Sequence, residues 1–259
     1  MEDFERAFKR IEPRLQRWLS FLLFGKKIEI RGAENLIKQG PNIIIGNHCG
    51  SFKDVAVLLR IKPRMIYFTA NQRIFTRESL DALALKHLRR HLGDFGPMLN
   101  SMIRPLKTRL IDFVSGNITR VGTIPVSLEG GKREAMQMCE DYLRKGRAII
   151  TLQGRGRVHP DAPHPYVSRF KRGPAILSYV LYKEDGVIVN VTPLAMFGTH
   201  RPWVTPGTIK VNVGAPMNIL PHLSDDSDES IAAFRDALEA QVKRLFLELI
   251  REQSGASHK

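Results

Sequence analysis

His48 and Asp54 are the residues of this sequence best suited to acid–base chemistry. They lie in the loop Gly46-Asn47-His48-Cys49-Gly50-Ser51-Phe52-Lys53-Asp54, directly after the β-branched run Ile43-Ile44-Ile45. When a histidine just past a buried strand is followed by a carboxylate at the start of the next helix, the carboxylate can hold one ring nitrogen. The other nitrogen is then free to take a proton from a hydroxyl. The same spacing also fits a histidine that only hydrogen-bonds within a turn and an aspartate that only caps a helix. Cys49 adjoins His48, but neighbours on an extended turn point apart, so it is not expected to be a nucleophile.

A second loop has the chemistry of an anion receptor. Gln153-Gly154-Arg155-Gly156-Arg157 follows Ile149-Ile150-Thr151-Leu152, and a Pro- and His-containing stretch leads on to Phe170-Lys171-Arg172-Gly173. Glycine-turn N–H groups, the forks of Arg155, Arg157 and Arg172, the Lys171 ammonium and a helix N-terminus together suit a phosphate. The alternative is a solvated basic loop. The dinucleotide fingerprint is incomplete, because Gly154-x-Gly156 lacks the third glycine and the downstream acid, and there is no Gly-Lys-Ser/Thr of a Walker loop. Gly130-Gly131-Lys132 could bind phosphate, but the expectation is that it ends a strand and opens a helix. His159 and His164 have no matching ligands nearby, so no metal site is expected.

The elements that must position these loops follow from periodicity. Strands are expected over 28–31, 42–45, 65–69, 122–126, 148–152, 187–194 and 208–213. Helices are expected near 52–60, 77–91, 131–145, 173–182 and 228–252, the last opened by the acidic, Ser-rich segment 224–230. Strands and helices taking turns predict an α/β fold with a mostly parallel central sheet flanked by helices, and ligands in such sheets gather at the carboxyl ends of strands. Ahead of it, Phe4, Phe8, Ile11, Leu15, Trp18, Leu19 and Leu22 recur at helical spacing among Arg6, Lys9, Arg10, Arg14 and Arg17. That basic amphipathic helix, with Pro13 in its middle, either packs on the domain or lies in a membrane interface with Trp18, Phe21 and Phe24 inserted. The expected organisation is thus an N-terminal membrane-association helix over 1–25 and a single α/β domain over 26–259.

Composition narrows the partners. In 259 residues, 43% hydrophobic and 25% charged, the chain has ordinary globular values. Its 40 Lys and Arg against 26 Asp and Glu leave a net charge of +14, which calls for an anionic partner. Tyr166 and Phe170 are too few aromatics among the basic loops to argue for nucleic acid. Two distant cysteines, Cys49 and Cys139, argue for neither a disulfide framework nor a thiolate zinc site, and a reducing compartment is the simpler reading. No apolar run is long enough to span a bilayer, and the first 17 residues lack the apolar core of a cleavable signal.

Taken in order, the loops resemble the glycerolipid acyltransferase family, the 1-acylglycerol-3-phosphate acyltransferases and their kin. The family's Asn-His followed by Asp is matched by Asn47-His48 and Asp54, and its Gly-x-Ile strand by Gly122-Thr123-Ile124-Pro125-Val126. Its Pro-Glu-Gly-Thr-Arg loop and trailing Phe-Lys-x-Gly look like Leu152-Gln153-Gly154-Arg155-Gly156 and Phe170-Lys171-Arg172-Gly173. Its proline-containing strand resembles Val191-Thr192-Pro193-Leu194-Ala195, and its closing strand and turn resemble Val211-Asn212-Val213-Gly214-Ala215-Pro216. The match spans about residues 25–220.

The resemblance implies transfer of a fatty acyl group from acyl-CoA or acyl-carrier-protein to the hydroxyl of a lysophospholipid or related lipid. His48 would be the general base and Asp54 its partner. Asn47, Gln153, Gly154, Arg155, Arg157, Lys171 and Arg172 would stand at substrate-binding positions. No cofactor or metal is implied, and the chain would work at the cytoplasmic face of an anionic membrane. This sequence departs from the family at four places. Five residues separate His48 from Asp54 instead of four, putting Lys53 at the usual aspartate position. Gln153 replaces a glutamate, Gly156 an arginine, and Leu128 stands near another arginine. These changes leave room for a non-phosphorylated acceptor, or for a basic lipid-binding protein without catalysis on a degenerate acyltransferase scaffold.

Overall fold

The computed structural model describes residues 2–93, 95–127, 132–154, 156–202 and 205–256. The chain forms two compact units, one from Met1–Trp18 and Tyr67–Ala135, the other from Leu19–Ile66 and Met136–Lys259. The strands are mostly parallel with helices around them, as the alternation of patterns predicts.

The second unit carries both loops of interest. Its strands are β1 (Lys26–Arg31), β2 (Asn42–His48), β5 (Ala148–Gly154), β6 (Asn190–Phe197) and β7 (Gly207–Val213), in the spatial order β1-β7-β6-β2-β5. β2 lies between β5 and β6 and is parallel to both, β1 is parallel to β7, and only the β6–β7 pair is antiparallel. Ile43, Ile44 and Ile45 of β2, Ile149 and Ile150 of β5, and Val191, Leu194 and Met196 of β6 are all buried. Such continuous apolar runs belong to strands covered on both faces.

The α-helices wholly within this unit are α2 (Phe52–Ile61), α7 (Gly173–Asp185) and α8 (Ser227–Ala256). α7 starts with Pro174 in its first turn and stops at Gly186, whose left-handed backbone (φ 65°) sends its N–H back to Leu181 and Tyr182. α8 has Asp228 and Glu229 in its first turn, against the positive end of the helix dipole. Ile231, Phe234, Leu238, Val242, Leu245 and Leu249 recur every three or four residues and are buried where α8 packs on β6 and β7.

The first unit contains the parallel pair β3 (Ile66–Asn71) and β4 (Ile124–Val126), and between them α3 (Arg77–Leu92), α4 (Phe95–Met102) and α5 (Arg104–Asn117). α6 (Lys132–Arg144) follows β4. α4 and α5 have no counterpart among the sequence-based expectations. The N-terminal helix α1 (Glu2–Leu22) runs through Pro13. Its apolar face is partly covered: Phe8, Leu19 and Leu23 are buried, and Phe4 meets Tyr67 edge to face. Phe24, just beyond it, is 77% exposed. Of the stripe that was expected either to pack or to enter a membrane, Phe8 and Leu19 are buried and Phe4, Ile11, Leu15, Trp18 and Leu22 are partly exposed. No described helix is long and apolar enough to cross a membrane.

Candidate active site

His48 is the last residue of β2, at the carboxyl end of the central strand and opposite Gly154 of β5. Its Nδ1 is 2.8 Å from Oδ2 of Asp54, which is completely buried in the first turn of α2. Asp54 Oδ2 also accepts the Gly50 N–H at 2.7 Å, which fixes the carboxylate before it meets the ring. With Nδ1–H directed at a carboxylate, the lone pair of the imidazole resides on Nε2. No described protein group bonds to Nε2, and the ring is about a quarter exposed. The extra residue between His48 and Asp54 is therefore accommodated. Ser51 takes it up with φ 55° and ψ −124°, a left-handed conformation that no other non-glycine residue adopts among the described residues.

Glycine is required beside the ring. A Cβ on Gly154 (φ 135°) would sit 2.8 Å from the His48 carbonyl oxygen, and one on Gly156 (φ 68°) would lie 3.2 Å from His48 Nε2. The backbone thus passes close to the free nitrogen, at the position where the resemblance has an arginine.

Asn47, expected to touch substrate, is wholly buried and engaged elsewhere. The β2–β6 ladder ends at the Gly46–Leu194 pair. Beyond it Asn47 Oδ1 accepts the Met196 N–H at 2.8 Å, while Nδ2 donates to the Met196 carbonyl at 2.9 Å and the Tyr166 carbonyl at 3.3 Å. Its side chain prolongs the ladder and positions His48. Gln153 is likewise buried: its Nε2 donates to Thr151 Oγ1 while Oε1 accepts the Lys171 N–H at 3.0 Å, tying the end of β5 to the segment before α7. Arg172 pairs with Asp228 at the start of α8. The Lys171 and Arg157 side chains are exposed. Arg155 lies outside the described residues, as do Leu128, Gly130 and Gly131. Among the described residues no group of three or more His, Cys, Asp or Glu could hold a metal ion.

The segment after β6 completes the surroundings, and sequence spacing did not single it out. Thr199 Oγ1 is 3.6 Å from Cys49 Sγ. Lys53 is buried and its ammonium donates to the Arg201 carbonyl. Lys26 donates to the Pro202 carbonyl at 3.2 Å and to that of Thr205. Burial, then the nearby Lys26 charge, lowers the Lys53 ammonium to about 8. Burial and the Asp54 charge push the Cys49 thiol up to about 12, so it is no thiolate nucleophile at neutral pH. A signal for this segment was present in the sequence: Gly198-Thr199-His200 follows the apolar run 191–197, just as the His48 loop follows β2.

His200 packs against Tyr166 and Phe197, at ring-centre distances of 5.0 and 5.1 Å. Burial, then Arg201 and Lys53, lowers its imidazole to about 4, with Asp54 opposing. The unfolded chain takes up a proton near the ordinary value of 6.5 that the folded chain refuses until about 4. Stability is therefore lost as pH falls through that window, by about 1–3 kcal/mol. Urea midpoints at pH 7 and 4.5 should show this loss shrinking in His200→Phe. An equal loss in both proteins would assign the acid sensitivity to other groups.

No protein-family model matches the sequence, and no curated protein sequence is detectably similar to it. A solved structure does share its fold. The 1-acyl-sn-glycerophosphate (LPA) acyltransferase PlsC from Thermotoga maritima superposes with a TM-score of 0.54 at 20% identity, covering 96% of this chain and 84% of that one. The chain has the fold of that acyltransferase. At this identity the likeness concerns architecture, so the chemistry rests on the residues themselves.

Proposed function

We propose that the protein is an O-acyltransferase that moves a fatty acyl group from a CoA or carrier-protein thioester to the hydroxyl of a lipid acceptor. The observation that carries this reading is the His48–Asp54 pair, with Nε2 open at the carboxyl end of the central strand. His48 Nε2 takes the acceptor hydroxyl proton as the oxygen attacks the thioester carbonyl carbon. The tetrahedral intermediate collapses with cleavage of the C–S bond, and the imidazolium returns its proton to the leaving thiolate. Buried Asp54 holds the ring and offsets its transient charge. No acyl-enzyme is required, because the thioester is already activated. The acceptor reaches His48 from an anionic membrane surface on its cytoplasmic side.

Gly156 favours an acceptor other than lysophosphatidic acid. The arginine of the resembled motif is missing from the position beside Nε2, and Arg172 is already paired with Asp228. A screen with a labelled acyl thioester and the purified chain tests both points. Transfer is expected to a lyso-lipid, with neutral or zwitterionic acceptors preferred over lysophosphatidic acid. Transfer to lysophosphatidic acid alone would return the phosphate-reading role to Arg157 and Lys171. Absence of transfer to every lyso-lipid would leave the basic lipid-binding reading in its place.

A further inference from the structure

The first unit presents an apolar row that none of the site chemistry uses. Phe95 is 74% exposed, Met98 64%, Met102 70% and Leu106 39%. α4 and α5 are almost continuous, since Ile103 donates its N–H to Leu99 and Lys107 donates to Ile103 across the junction. Spacings of three, four and four residues put these four side chains within about 80° of arc, along roughly 16 Å of helix. The row is held on a stiff support. Lys107 bonds Asp81 at 2.7 Å and Asn100 at 2.6 Å, and Arg77 bonds Asp112 at 3.1 Å. Gly96 lies so close to α3 that a Cβ there would be 2.9 Å from the Arg89 backbone.

We propose that Phe95, Met98, Met102 and Leu106 form a lipid-contacting face that lays α4 into the headgroup region of an anionic bilayer. Exposed rows of long apolar side chains mark interaction surfaces. The charge pattern selects the partner: from Phe95 to Ile111 there is no acidic residue, while Arg104, Lys107 and Arg109 are basic. Arg104 and Arg109 are exposed, and Arg109 shares the arc of the apolar row. Apolar insertion beside exposed cations such as Arg104 and Arg109 is the pattern of interfacial helices, and it gives binding that salt weakens without abolishing. The choice of a bilayer over a protein rests on the lipid-acceptor reading above. The contact is assigned to α4, whose row is more exposed than the apolar face of α1, where Phe8 and Leu19 are buried and Phe4, Ile11, Leu15, Trp18 and Leu22 are partly buried.

Flotation of the full chain with phosphatidylglycerol-containing vesicles tests this. Met98→Glu/Met102→Glu is expected to lower the bound fraction at least about tenfold, with transfer to a water-soluble short-chain acceptor unchanged. Undiminished binding of that variant, or no binding of the unsubstituted chain, would overturn the proposal. Because Cys49 and Cys139 are buried, an environment-sensitive thiol label on Met98→Cys reports the row alone. Its emission should shift to the blue with vesicles and be quenched by brominated lipid. A shift driven by protein concentration without lipid would assign the row to a second copy and overturn it. If vesicle binding depends on α4 while no lyso-lipid is acylated, this surface stands and the transferase reading falls.

Discussion

Replacing His48 with alanine is expected to lower kcat for acyl transfer by at least about 10²-fold while leaving circular dichroism and the unfolding midpoint nearly unchanged. The ring is partly exposed at the end of β2, so little packing depends on it. Asp54→Asn keeps the imidazole but removes the charge that offsets the imidazolium, and it should cost less turnover than His48→Ala. The pH–rate profile separates the roles. The base works unprotonated, so the rate falls on the acid side, and Asp54→Asn should move that limb to lower pH, because an imidazolium without its carboxylate loses its proton more readily. The fall in kcat expected of Asp54→Asn then comes from a weaker, poorly oriented base. Near-normal turnover of His48→Ala would end the general-base role.

The His48–Asp54 pair was legible because both residues sit on elements with strong local signals, a β-branched run and the start of an amphipathic helix. What spacing could not supply was the path between them. Whether five intervening residues close the pair depends on Ser51 adopting a positive φ, which a serine does not advertise. Asn47 and Gln153 were legible as important polar positions but not in their roles. Their partners, Met196 and the Lys171 N–H, are brought in by strand order and loop return, not by sequence proximity. Lys53 was legible only as a departure from a motif, and its burial against the Arg201 carbonyl follows from the segment after β6 folding over α2's first turn.

The strands and the longer helices were legible from period and β-branching, including β6, whose observed span of Asn190–Phe197 runs three residues beyond the expected end. The continuation has a physical origin. Leu194–Phe197 pair antiparallel with β7, an edge that a single-strand pattern does not reveal. α4 and α5 were missed for the opposite reason. Phe95, Met98, Met102 and Leu106 are exposed, so the buried-stripe logic that finds helices has little to count over this stretch, and Pro97 and Pro105 resemble helix breaks although both stand near helix starts.

Asn47→Leu is expected to destabilise the protein by about 2–4 kcal/mol, because it strands the buried N–H and C=O of Met196 that now bond the two ends of one amide. Leucine keeps the branching at Cγ but is bulkier, so overpacking at this fully buried site adds to the lost hydrogen bonds. Asn47→Asp makes a second, different probe. Its carboxylate still accepts from Met196 N–H but faces the carbonyls of Met196 and Tyr166 with no proton to donate, and burial opposes its charge. Its stability should therefore recover as pH falls and the carboxyl protonates, whereas that of Asn47→Leu should not. Urea titrations of the two variants at pH 7 and 5.5 make the comparison. If Asn47→Leu shifts the midpoint by less than about 0.5 kcal/mol equivalent, the β2–β6 end is held by packing and the amide clamp is dispensable. If the clamp is required, the folded fraction of Asn47→Leu should also lose turnover, since the residue that closes the ladder is the one from which His48 extends.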